Sequence, residues 1–132
     1  MSAEFFWLTL TVAMTGLIWV PYMLDRFAVR GIMPPFGNRP REGVRQSEWA
    51  ERMMAAHVNA VENLAVFAPL VLMLAAMGIS TGATVGACAV FFWARLVHLA
   101  VYIVGIPFVR TAAFVVGFGA QAVLVFALFG WM

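Results

Sequence analysis

The chain has no lysine, a single cysteine and few charges of either sign: 11% of its 132 residues are charged, against 64% hydrophobic. A soluble domain of this length with that balance would aggregate rather than fold, which excludes the ordinary globular classes and leaves an all-α integral membrane protein. Without lysine, the basic side chains are all arginine, and they cluster. Such a cluster marks one side of a membrane, so nucleic acid is not an expected partner. Cys88 has no second cysteine to bond and lies among Ala87, Ala89 and Val90, which predicts a buried, inert thiol. The start, Ser2-Ala3-Glu4 before an apolar run, lacks the basic opening and small-residue cleavage site of a secretory signal, so the first helix is expected to stay as an anchor.

The catalogue of absent chemistry is equally restrictive. His57 and His98 fall on different helices without a carboxylate or thiol at ligand spacing, so no metal site is expected. No Ser-His-Asp arrangement, Walker sequence or repeat is present. The stretch Ala83, Val85, Ala87 and Ala89 would give one half of a bundle no polar lining, which argues against a channel.

What is present is four apolar segments, each near the roughly 20 residues that cross about 30 Å of hydrocarbon. The expected helices run over about 5–24, 47–77, 82–104 and 108–131, in one domain that uses the whole chain 1–132. Pro21 predicts a kink in the last turn of the first helix. Residues 25–46, with five arginines and Pro34, Pro35, Gly37 and Pro40, read as the one long loop. Ser47 reads as the N-cap of the second helix, with Glu48 and Glu51 favourable in its first turn. Gly82 and Gly86 form a small-xxx-small pair suited to close helix contact. The positive-inside rule places the Arg-rich loop in the cytoplasm and both termini outside.

Against this apolar background a few polar residues stand out, because an ionisable group inside a span is by default a functional-site hypothesis. Arg52, Asn59, Glu62 and Asn63 fall within about 100° of one another on the second helix, and Arg95, His98 and Tyr102 share a face of the third. Arg110 and Gln121 share a face of the fourth, with Phe114 and Gly117. His57 lies off the second-helix stripe and reads as an interface or snorkelling residue. With four helices threaded alternately, most of these groups gather toward the cytoplasmic leaflet. They fit either interhelical hydrogen bonding, with Glu62 neutralised by Arg95 or Arg110, or a site for an anionic ligand, since Arg52, Arg95 and Arg110 outnumber Glu62.

The run Ala56-His57-Val58-Asn59-Ala60-Val61-Glu62-Asn63-Leu64, followed by Phe91-Phe92-Trp93-Ala94-Arg95-Leu96-Val97-His98 and then Tyr102, Pro107 and Arg110, resembles the MAPEG family, the membrane-associated proteins of eicosanoid and glutathione metabolism. It looks closest to the bacterial branch, which implies an inner-membrane location. The resemblance implies a homotrimer of four-helix subunits with glutathione as co-substrate, bound between neighbouring subunits. Carried over by position, Asn59 and Glu62 would hold the γ-glutamyl end, Arg95 and Tyr102 would line the peptide, His98 stands where some members have a Tyr, and Arg110, with Tyr102, would act on the thiol; Arg52, on a similar face one turn earlier, joins them as a glutathione-binding candidate. One position departs: where family members commonly carry an Arg four residues before the Asn, this chain has Ala55, which removes a carboxylate clamp that Arg52, Arg26 or Arg30 would have to replace.

Two functions follow as expectations. One is a glutathione-dependent transferase or peroxidase acting on a lipophilic electrophile that arrives from membrane lipid. The other is a noncatalytic subunit that binds lipid, quinone or a larger membrane complex.

Overall fold

A computed structural model describes residues 1–31 and 45–131. Arg39 and Arg41 of the expected loop lie outside the described residues. Ser2 opens α1 (Ala3–Leu17) by accepting the Phe5 N–H on its hydroxyl at 3.2 Å, one of the amides that every helix start leaves without an intrahelical acceptor. Pro21 has no N–H to give the Leu17 carbonyl, and its ring crowds that carbonyl. The helical hydrogen-bond ladder is therefore interrupted at Ile18, whose backbone stays helical at φ −58° and ψ −32°, and resumes as α2 (Trp19–Arg30). The break sits one turn before the expected kink, and helix continues beyond Leu24, so the first connection begins at Gly31 rather than at Asp25.

Ser47 stands at the N-cap of α3 (Glu48–Ala76), but its side chain does not turn back onto that helix. Its hydroxyl donates to Asp25 Oδ1 and its amide donates to Asp25 Oδ2 at 3.1 Å. The ionised carboxylate accepts both bonds with charge assistance, and the pair ties α2 to α3. α4 (Gly82–Val104) begins with a reciprocal capping box between Thr81 and Thr84 and ends at Gly105, whose φ of +87° suits a residue without Cβ. α5 (Pro107–Leu128) follows two residues later with Pro107 at its first position, where a missing N–H costs nothing.

The α1–α2 pair and each of α3, α4 and α5 are long and apolar enough to cross a membrane, giving four candidate spans and no strand among the described residues. α4 and α5 make the most extensive pairing, with α3 and α1 packed on α4 and α2 on α3. The core centres on Phe67 and Phe91, stacked face to face at 3.9 Å, with Val71, Leu74, Cys88 and Leu124 fully buried around them. Gly82 and Gly86 do not mediate a close contact within the chain, since a Cβ on either would meet nothing within 4 Å. The close approach occurs at Gly117, where a Cβ would touch Ala94, Arg95 and Phe91 at 3.8 to 3.9 Å.

Both ends of the bundle are tied by polar contacts. At the end holding the α3–α4 turn, Glu4 is only 4% exposed and its Oε1 accepts from the Ser80 hydroxyl at 2.7 Å and the Thr84 hydroxyl at 2.9 Å. The carboxylate lies in the first turn of α1 and beside the first turn of α4, where two helix dipoles favour negative charge. At the other end the Tyr22 hydroxyl and His57 Nδ1 are hydrogen-bonded at 2.8 Å, and Gln46 Nε2 donates to the Tyr22 carbonyl at 2.9 Å. His57 thus faces α2, which accounts for its position off the α3 stripe.

Candidate functional site

α2 and α4 end, and α3 and α5 begin, at one end of the bundle, and most of the singled-out polar side chains converge there. An outer cleft of about 650 Å³ is lined by Arg45, Glu48, Glu51, Arg52, Tyr102 and Arg110, with Ala55 on its wall. A smaller pocket of about 260 Å³ is lined by Asn59, His98, Tyr102, Arg110, Thr111 and Phe114. Tyr102 and Arg110 form a wall common to both.

Arg110 comes from the first turn of α5 and lies with its guanidinium carbon 4.6 Å from the centre of the Tyr102 ring on the last turn of α4. The Gly105 turn sets this pair, because it brings α5 back within five residues of Tyr102. A guanidinium over an aromatic face is held by the ring's negative quadrupole while its N–H edges stay available. Arg110 has no carboxylate partner among the described residues.

Behind this wall Arg95 is 3% exposed, nine residues before the end of α4, or about 13 Å at 1.5 Å per residue. Its Nη2 donates to Asn59 Oδ1 at 2.7 Å, and its side chain passes Gly117, where a Cβ would stand 3.8 Å from Arg95 Cδ. Arg95 Nε and Nη1, and His98 Nδ1 on the next turn, are buried without a partner among the described residues. Buried polar atoms without partners cost about 1 to 3 kcal/mol each, so such atoms mark places where water or ligand completes the structure. Deeper still, Gln121 Nε2 donates to the Asn63 carbonyl at 3.1 Å, which carries the polar seam between α3 and α5 toward the bundle centre.

Arg52 takes a distinct place at the outer edge. Its Nε donates to the Ile103 carbonyl at 2.7 Å, one of the orphan acceptors at the end of α4, and the side chain passes within 4 Å of where a Gly105 Cβ would stand. Its Nη1 lies 3.5 Å from Glu48, and Arg45 lies 3.5 Å from Glu51.

The arrangement thus brings together Arg52, Asn59, Arg95, His98, Tyr102 and Arg110. Glu62 is the exception. It is exposed, lines neither cavity, and pairs with neither Arg95 nor Arg110. One residue step is 100°, so Glu62 lies about 60° to one side of Asn59 and about 100° from Asn63, enough to turn it off the face that meets α4 and α5. Arg26 and Arg30, the other candidates to replace a clamp near Ala55, stand on α2 and do not line the outer cleft. Sequence reasoning missed Asp25 and Gln46, which fix the rim. Gln46 showed only as a polar residue beside the start of α3, and Asp25 only as the first polar residue after the first apolar run. Among the described residues no three metal-ligating side chains come together.

A four-span membrane protein with a cationic cleft at one end is the class that fold and site define. The chain belongs to the MAPEG family, whose sequence model matches residues 5–130. Comparison with curated proteins and with solved structures gave no match.

Proposed function

We propose that this MAPEG protein binds glutathione in the paired cavities, ionises its thiol, and presents the thiolate to a lipophilic electrophile or peroxide that enters from the bilayer. The observation that carries this reading is the Arg110 guanidinium, stacked on Tyr102 at 4.6 Å without a carboxylate partner among the described residues, on the wall common to both cavities. A thiol titrates above neutrality in water, and an adjacent fixed cation favours its anion, which is both the nucleophile and the better reductant. Tyr102 supports the guanidinium and offers its hydroxyl to the sulfur. Asn59, Arg95 and His98 line or back the inner pocket and supply polar contacts for the peptide. Bound orientation then does the rest, because the acceptor is concentrated in lipid beside the site.

The active form in this reading is a homotrimer in a bacterial inner membrane, with the cleft toward the cytoplasm, where the positive-inside rule puts the Arg-rich connection. The test is glutathione titration of the detergent-purified protein, following heat and thiolate absorbance near 240 nm together. Wild type should give both signals. Arg110→Ala should keep the assembly and lose the thiolate band, and an unchanged band would overturn the reading.

A second reading, a noncatalytic subunit for lipid, quinone or a larger membrane complex, is favoured by Glu62 standing outside the cleft. Stable copurification of another membrane protein, with no heat of glutathione binding at millimolar concentration, would select it.

A further inference from the structure

At the end of the bundle opposite the cleft, a buried carboxylate borders a cavity. Where α1 begins and α3 turns into α4, a pocket of about 280 Å³ is lined by Ser2, Glu4, Phe5, Ala75, Ile79 and Ser80 among others. The turn that forms one wall is fixed by its own backbone: the Ile79 amide donates to the Leu74 carbonyl at 2.9 Å and the Gly78 amide to the Ala75 carbonyl at 3.1 Å, with Gly78 at φ +68°. This paired ending of a helix calls for glycine at that position. Glu4 is 4% exposed and has no cation partner among the described residues. On α4 the first arginine, Arg95, stands 13 residues beyond Gly82, or about 20 Å at 1.5 Å per residue. Hydroxyls solvate a carboxylate without neutralising it, and here both of them, from Ser80 and Thr84, donate to Oε1. Oε2 takes neither, although a carboxylate has about four acceptor sites over its two oxygens. Phe129 and Trp131, 66% and 71% exposed just beyond α5, place this same end at the level of the lipid headgroups.

We infer that this pocket binds an alkylammonium, a protonated amine whose nitrogen meets Glu4 Oε2 and whose carbon chain lies on Phe5, Ala75 and Ile79. An N–H donor that carries positive charge supplies what the two hydroxyls lack, a charge-assisted bond to an anion held out of water. The hydroxyl oxygens of Ser2 and Ser80 offer lone pairs to the other ammonium hydrogens. The apolar wall starts at Phe5, directly after Glu4, so the ligand's carbon has to start at its nitrogen. A zwitterionic lipid headgroup would instead bring a phosphate next to the ammonium, and no arginine lines the pocket to receive it. The volume lies just below the range of about 300 to 1,000 Å³ usual for small-molecule sites, which selects a short chain.

The experiment is calorimetric titration of the full-length protein in detergent with hexylammonium chloride, hexanol and phosphoethanolamine, each against the same detergent alone. Wild type should give a saturable heat with hexylammonium and none with hexanol, which shares the chain but not the charge. Glu4→Gln keeps an acceptor for Ser80 and Thr84 and should weaken hexylammonium binding about ten- to a hundredfold, the range of one charge-assisted contact. Ala75→Leu fills the pocket from an exposed position, leaves the carboxylate in place and should abolish the binding. Should Glu4→Gln fail to fold, Ala75→Leu and the hexanol comparison still decide. No saturable heat with hexylammonium on wild type, or equal binding by wild type and both variants, would overturn the site. Hexanol binding as well as hexylammonium would leave an apolar cavity with Glu4 as a structural tie, and heat with phosphoethanolamine alone would give the pocket to a lipid headgroup; each overturns the assignment. None of these titrations involves Arg110 or glutathione, so either result leaves the thiolate reading where it stands.

Discussion

Arg95 is a guanidinium 3% exposed with one protein acceptor among the described residues. A buried charge in a membrane span persists only where neighbours hold it, and here that neighbour is Asn59. Asn59→Ala should therefore lower stability by about 1 to 3 kcal/mol, the cost of leaving a buried donor unsatisfied, read as a lower midpoint of thermal unfolding in detergent. Asn59→Asp keeps the acceptor, adds the missing countercharge, and should stay near wild type in the same assay. Gly117 gives a second test at the same spot. Its Cβ would meet Arg95 and Ala94 at ordinary van der Waals distance, so Gly117→Ala should fit, whereas Gly117→Leu has to push Arg95 from its place and should cost about 1 to 3 kcal/mol. These residues were legible in the sequence because a charge among apolar neighbours is conspicuous and 100° per residue fixes which of them share a face. Glu62 shows the limit of that logic. Phase says that Asn59, Glu62 and Asn63 are near one another, but only the packing of α4 and α5 says which edge of the stripe is covered.

At the scale of elements, the four spans could be read from apolar run length, and the sharp turns from Gly105 and Pro107. The interruption at Ile18 does follow from Pro21, but in the turn before the proline, where the Leu17 carbonyl loses its donor, rather than in the last turn that holds the proline. Beyond it α2 packs on α3, which brings together Tyr22 with His57 and Asp25 with Ser47, contacts between residues with no sequence signature. Asp25 takes two donors at once and fixes the first turn of α3, where Glu48, Glu51 and Arg52 stand. Asp25→Ala should lower the unfolding midpoint more than Ser47→Ala, because the serine variant still has its amide bonded to Asp25. Equal shifts would mean that the backbone contact carries nothing. Glu4 is the matching tie at the opposite end and was hidden in the sequence by lying beside the N-terminus, where a carboxylate reads as solvated. Its two hydroxyl donors come from residues 80 and 84, contacts that exist only once α1 packs on α4.

For the whole molecule, Glu62 is the residue a single subunit leaves unexplained. It sits in the middle of α3 with Val58, Val61 and Val66 exposed near it, has no ion pair among the described residues, and faces away from the cleft. A bare carboxylate at that depth in lipid is costly, so in the membrane another surface has to cover it. Within the proposed trimer that surface is a neighbouring subunit, and Glu62 then completes the neighbour's cleft rather than its own. Mixing subunits tests this directly. Arg110→Ala and Glu62→Gln should each abolish glutathione ionisation alone. When the two variants are coexpressed, a cleft built from Glu62 of the first and Arg110 of the second is intact, and part of the thiolate signal should return. If both groups serve the same subunit's cleft, every mixed assembly carries one defect per site and no signal reappears, which would return Glu62 to a purely structural role.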